Sequence, residues 1–204
     1  FTLDIGASWN SKSGKDLFEN DYDLLKIKTL NFLRMEKQFS SSLKASFITV
    51  LSGKQRSFNV DRPYMKSTTG AYLFFTGSPV GFTLNGYYQG GKNQSGADVS
   101  AWMLHASANA KLGKVTASAG LDMLSGTEEG DEEDKTFDPL YGARHKYYGV
   151  MDYFSGLPNA NSGAGLNDIY LGLNWKAFSK GKLGVTYHYF AANKEPLVDG
   201  ETYE

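Results

Sequence analysis

The chain has 204 residues, 41% of them hydrophobic and 23 of them glycine, which excludes a disordered chain and suits one large domain or two small ones. Lys and Arg number 21 against 22 Asp and Glu, a net charge of −1, so no whole-chain basic field points to nucleic acid. Zero cysteines remove disulfide frameworks, thiolate catalysis and Cys-ligated zinc, and the longest apolar run, Ala71 to Phe75, is far too short for the ~20 residues of a membrane-spanning helix.

What remains open is a β-barrel, whose lipid-facing residues are diluted one-for-one by lumen residues, in keeping with a mean hydropathy of −0.40. Period-two alternation supports it along the whole chain. Phe1 opens directly into a β-like pattern, which reads as either a mature chain without its signal peptide or a chain with cut ends: Phe1, Leu3, Ile5, Ala7 and Trp9 interleave with Thr2, Asp4, Gly6, Ser8 and Asn10. The second segment, 22–37, changes phase near Leu30, which predicts a bulge or an apolar pair turned to the lumen. Segments 43–51 and 71–76 alternate less cleanly. Then come 81–90 (Phe82, Leu84, Gly86, Tyr88), 102–111 (Trp102, Leu104, Ala106, Ala108) and 114–123 (Val115, Ala117, Ala119, Leu121, Met123). Two more follow a long gap: 168–177, with Ile169, Leu171, Leu173 and Trp175, and 182–191, with Leu183, Val185, Tyr187 and Tyr189. Nine strands are expected.

The connections alternate in length. Short turns are expected at 38–42, 77–80, 112–113 and 179–181, and long polar segments at 10–21, 54–65, 91–98 and 126–167. All five prolines fall in these connections, as a hydrogen-bonded ladder requires. Tight turns at one end and long loops at the other are what an outer-membrane barrel shows, whereas a lipocalin-like barrel or a soluble sandwich has no reason to sort its loops. A strand at 141–154 would break that parity, so 126–167 is expected to be one excursion folded into the lumen. Nine strands with two open edges would leave unpaired backbone in lipid, so the chain reads as a fragment of a larger barrel, a single domain over 1–204.

One stretch carries a family resemblance: Phe137-Asp138-Pro139-Leu140-Tyr141-Gly142-Ala143-Arg144-His145-Lys146-Tyr147-Tyr148-Gly149-Val150-Met151-Asp152-Tyr153-Phe154. It resembles the hallmark of the alginate-export family of outer-membrane porins in its Bacteroidetes form. Lys28 to Leu33, Gly70 to Tyr72, Tyr87 to Lys92 and Gly120 to Gly126 support it in order along the chain. The resemblance implies an eighteen-stranded antiparallel barrel, of which nine strands lie here, and passive passage of a polyanion through an Arg-rich lumen. Here only Arg34, Arg56, Arg62 and Arg144 are present, a departure from that lumen.

If apolar residues face lipid, the inward set includes Lys26, Lys28, Arg34, Lys44, Asn85, Gln89, His105, Asn109, Asp122, Asn174 and His188, with Lys111, Lys114, Lys176 and Lys182 beside the turns. Two readings stand: a wall along which a polyanion or sugar slides through weak contacts, or a generic hydrated lumen with snorkelling rim lysines. The stretch 137–154 is too apolar to be left in water, so it is expected to pack inside the lumen. There Arg144, His145 and Lys146 would stand at the constriction, with Tyr141 filling space and Asp152 as a candidate partner for Arg144. The acidic run 128–134 is expected to be a solvated loop, with divalent-cation binding as its alternative. Asp138, Arg144, His145 and Asp152 could suggest catalysis, but no nucleophile or third ligand stands at a diagnostic spacing, and the three histidines fall on three segments. The expectation is therefore a non-enzymatic channel of the bacterial outer membrane without cofactor or metal. Its partners would be membrane lipid, a polar or anionic saccharide and other members of a membrane complex, not nucleic acid. A plugged or structural barrel and an outer-membrane enzyme are the alternatives.

Overall fold

Nine strands follow one another both in the chain and in space: β1 (Thr2–Trp9), β2 (Ile27–Gln38), β3 (Leu43–Lys54), β4 (Tyr64–Thr76), β5 (Val80–Lys92), β6 (Asp98–Leu112), β7 (Val115–Leu124), β8 (Leu166–Phe178) and β9 (Gly181–Ala191). The structure, a computed structural model, describes residues 1–9, 27–54, 56, 62–139, 148–149, 151–154 and 156–196. Every strand pairs antiparallel with the next, giving one open up-and-down sheet. β1 and β9 are its edges and run in the same direction. Among the described residues no helix is long and apolar enough to cross a membrane, which has no bearing on crossing by strands.

The nine expected strands are present, but several are longer than alternation indicated. β4 starts at Tyr64, so the loop expected at 54–65 shortens, and β5 and β6 extend until only residues 93–97 separate them. The Asn93 side chain closes that loop, its Oδ1 accepting the amides of Ser95 and Ala97 at 3.0 and 3.1 Å. Alternation fades before the ladder ends because polar strand tips still satisfy their backbone groups by pairing. The connections remain sorted: 39–42, 77–79, 113–114 and 179–180 close one end, and all longer ones lie at the other. No strand among the described residues interrupts the direct β7–β8 pairing, and the excursion, now 125–165, joins the sheet only through an isolated parallel bridge of Asp134 to Val99 of β6 among its described residues.

Register divides the sheet into two faces, because residues paired across strands share a side. One face carries Leu3, Ile5 and Trp9; Phe47 and Leu51; Leu73; Leu84; Trp102 and Leu104; Leu121; Ile169, Leu171, Leu173 and Trp175; and Leu183, Val185, Tyr187 and Tyr189. Many of these side chains are exposed, half or more for Leu171, Val185 and Tyr187. Charged residues in this register occur only at the rims: Lys37 by one turn and the Lys92–Asp98 pair by the 93–97 loop. The other face is largely polar through β5–β9, apart from an apolar patch of Val99, Ala101, Met103, Leu124 and Leu166. Aromatic rings there lie over glycines on neighbouring strands, Tyr87 over Gly70 and Tyr170 over Gly120, where an added Cβ would sit 2.3 Å from the ring.

β2 departs from this division. Its register slips between Ile27 and Thr29, and beyond the slip Leu30 and Phe32 fall on the polar-face side while Thr29 and Asn31 fall on the apolar one. Both the bulge and the inward apolar pair therefore occur. Phe32 covers Gly6, and Thr29 donates its hydroxyl to Ser8 O at 2.9 Å and accepts from Asn31 Nδ2 at 3.1 Å.

Candidate functional site

The excursion after β7 folds back over the polar face and makes the main buried core there. Phe137, Tyr148 and Leu157 pack with Val99, Ala101 and Met103 of β6, Leu124 of β7 and Leu166 of β8. The crossing begins at a stem where Gly126 meets Ala164 so closely that a Cβ would lie 2.1 Å from its backbone. It reaches as far as β4. Gln89, buried on β5, brackets the Asp138 backbone: its Nε2 donates to Asp138 O at 2.8 Å and its Oε1 accepts from Asp138 N at 2.9 Å. Lys66 of β4 donates to Asp138 Oδ2 at 2.8 Å. A fully amide-bonded buried Gln is a strong local anchor, since breaking it would strand polar atoms in a site with little water. Beside it a cleft of about 340 Å³ is lined by Lys54, Lys66, Lys92, Asp134 and Asp138 among others.

The centre of the polar face holds a row of titratable side chains. His105 on β6, Asp122 on β7 and Asp168 on β8 are directly paired across strands, and His188 on β9 stands diagonal to Asp168. His105 Nδ1 and Asp122 Oδ1 are 2.5 Å apart, and His188 Nδ1 is 2.9 and 3.0 Å from the two oxygens of Asp168. Asp122 and Asp168 are almost wholly buried. Two carboxylates side by side in a sheet repel one another, so each requires its own donor, and each has a histidine. His188 is further held between Tyr170 and Phe190, with ring centroids 5.2 and 5.4 Å away. Phe154 of the excursion continues that stack onto Phe190 at 4.9 Å.

The acidic run is partly neutralised by its own surroundings. Lys194 reaches Glu128 at 2.6 Å, Asn93 reaches Asp134 at 2.8 Å, and Lys135 pairs with Asp131. That lysine, with the Glu128 amide, holds the Asp131 carboxyl below the usual range, and Asp131 in turn raises the Lys135 ammonium. No cluster of three metal-ligating side chains occurs among the described residues.

Of the inward set, Arg34, Asn85, Gln89, His105, Asn109, Asp122, Asn174 and His188 all stand in the polar-face register. They do not form one site. Arg34 is tied to Asp4 at 2.8 Å and Glu36 at 2.5 Å on the far side of the sheet, Asn109 and Asn174 sit exposed towards the turns, and Asn85 is buried. The bulge in β2 takes Lys28 out of the row and brings its ammonium 5.3 Å from the Trp9 ring. Lys26, Tyr141, Arg144, His145 and Lys146 lie outside the described residues. Asp152 is exposed, with φ of 55°.

The expected burial of 137–154 holds for Phe137 and Tyr148, but Met151 and Tyr153 are 89% and 82% exposed. The excursion has its own outward side, which composition alone does not reveal. In the sequence, Asp168 is only one member of an alternating strand, and nothing there joins Lys66 to Gln89. A cross-strand carboxylate pair is visible only once β7 and β8 are known to be neighbours in that register, across some forty residues of intervening chain.

Comparison with protein-family models, curated proteins and solved structures finds no match to this chain.

Proposed function

We propose that this chain forms nine strands of the wall of an outer-membrane β-barrel channel, of the alginate-export type its 137–154 stretch resembles, passing a polar or anionic solute such as an acidic oligosaccharide. The observation that carries the proposal is the apolar face: continuous from β1 to β9, exposed, and charged only at its rims. A soluble protein rarely exposes apolar patches beyond a few hundred Å², and a face of this extent requires lipid or another protein against it. Eight of the nine strands have 10 to 15 residues, and about 9–11 tilted residues suffice to cross the hydrocarbon core. The opposite face is largely polar outside the apolar patch that the excursion covers, as suits a hydrated lumen. With β1 and β9 parallel, antiparallel closure takes an odd number of further strands, consistent with nine more.

A second reading, a barrel closed by its own excursion, is favoured by the clamp of Lys66 and Gln89 on Asp138. Planar-bilayer recording separates the two: the channel gives discrete conductance steps with anion-leaning reversal potentials, and the plugged barrel gives none. Cation selectivity would leave a general porin. A protein that fails to insert into bilayers at all overturns both.

A further inference from the structure

We propose that the short-turn rim of β6–β9 is an oxyanion-binding site whose cations are Lys114, Lys176, Lys180 and Lys182. These four side chains line a single cleft of about 480 Å³ together with Thr116 and Asn174. No acidic residue lines it, and none of the four has an ion-pair partner among the described residues. Lys44, Lys66, Lys92, Lys135 and Lys194 each hold a carboxylate; Lys28, Lys37, Lys54 and Lys111 also lack one among the described residues, but here four such cations line one cleft.

The backbone gathers the four. Lys176 N donates to Lys114 O at 2.9 Å, stitching the β6–β7 turn to the end of β8. The ladder of β8 and β9 slips between Trp175 and Phe178, so Lys176 and Lys182 meet where two residues face one. Thr116 and Asn174 are paired in the polar-face register, whereas Trp175 and Leu183 are paired in the apolar one. Lys176 and Lys182 lie within the slip, and the cleft they line takes in both Asn174 of the polar register and Trp175 of the apolar one, which places it at the membrane-edge rim.

Like charges placed opposite one another destabilise a sheet, and at this end no carboxylate among the described residues offsets them. An external anion does. Ammoniums offer compact, multiply donating point charges rather than a planar fork, which suits phosphate- or sulfate-type groups held loosely, and the Thr116 hydroxyl and Asn174 amide add neutral donors. Such a group arrives either on a soluble solute or on a lipid headgroup at the membrane surface. The site's role as an entry or exit station for an anionic solute rests on the channel reading above; its binding of an oxyanion does not.

The test is amine-reactive footprinting of the whole chain, read by mass spectrometry, with Lys37 as the internal reference. In zwitterionic nanodiscs, added inorganic phosphate is expected to protect the four lysines from labelling and leave Lys37 unchanged. The K176Q/K182Q variant should weaken that protection about 25-fold, at roughly fivefold per lysine, while K37Q leaves it unaltered. Protection that appears only in phosphatidylglycerol nanodiscs, without phosphate, assigns the site to a headgroup. Equal labelling under all conditions, or protection that K176Q/K182Q does not weaken, overturns the proposal. Protection without conductance would retain the site and sink the channel; conductance without protection would do the reverse.

Discussion

Replacing His188 with Phe isolates one interaction in the titratable row. The substitution keeps an aromatic ring between Tyr170 and Phe190 and removes only the N–H that serves Asp168. Asp168 is 0% exposed, and His188 is its hydrogen-bond partner among the described residues, through both oxygens. Its neighbour across the ladder is the Asp122 carboxylate, which cannot help. Losing a bond to a charged group costs about 1.5–3 kcal/mol, and stranding a buried charge costs ~3–5 kcal/mol. His188 is itself partly exposed, so water can reach the vacated position and pull the cost towards the lower range. The expected destabilisation is about 2–3 kcal/mol, roughly 30- to 150-fold in the folding equilibrium. Asp168→Asn, which keeps an acceptor for the His188 N–H without the charge, should cost ~1 kcal/mol or less, and the double variant less than His188→Phe alone. Urea unfolding in lipid vesicles, followed by tryptophan fluorescence, gives all three midpoints. A His188→Phe protein within about 0.5 kcal/mol of the parent would refute the reasoning, as would an Asp168→Asn protein equally destabilised.

Leu173→Arg on the apolar face should cost about 2–4 kcal/mol in lipid, whereas Thr186→Arg on the polar face should cost ~1 kcal/mol or less; equal costs in the same unfolding assay would remove the two-face assignment. Gln89→Ala with Lys66→Ala releases Asp138 from β4 and β5, so limited proteolysis within 126–165 should accelerate and single-channel conductance should rise. The Asp131–Lys135 pair makes a stabilising contribution that is complete above the ordinary aspartate pKa and is lost as pH falls through the depressed folded value, because the unfolded chain binds the proton more readily. Side-chain NMR titration should show the Asp131 transition move to higher pH in Lys135→Met, and an unmoved transition would dissociate the lysine from the shift.

Strand number, type and order were legible in the sequence because each of those features is local. Alternation at Ile169, Leu171, Leu173 and Trp175 announces a strand with one apolar side, and short turns such as 113–114 leave the next strand no choice but to pair antiparallel with the last. The excursion at 125–165 was legible by elimination, since a further strand there would have reversed the order of turns and loops. The tertiary structure alone decided which side chains meet. Gln89 and Asp138 are separated by 49 residues, and Lys66 and Asp138 by 72, with no periodicity linking them. The four rim lysines come from two different turns and become one site only through the β7–β8 ladder and the slip in β8. In β2 the sequence signalled a change of phase but not its resolution. Whether a bulge absorbs a residue or an apolar side chain crosses to the other face depends on what lies opposite, and opposite Phe32 lies Gly6, whose missing side chain makes room for the ring. Local pattern sets the strands because backbone pairing depends on the period of the chain, whereas a site depends on register between strands distant in sequence, which only the assembled sheet supplies.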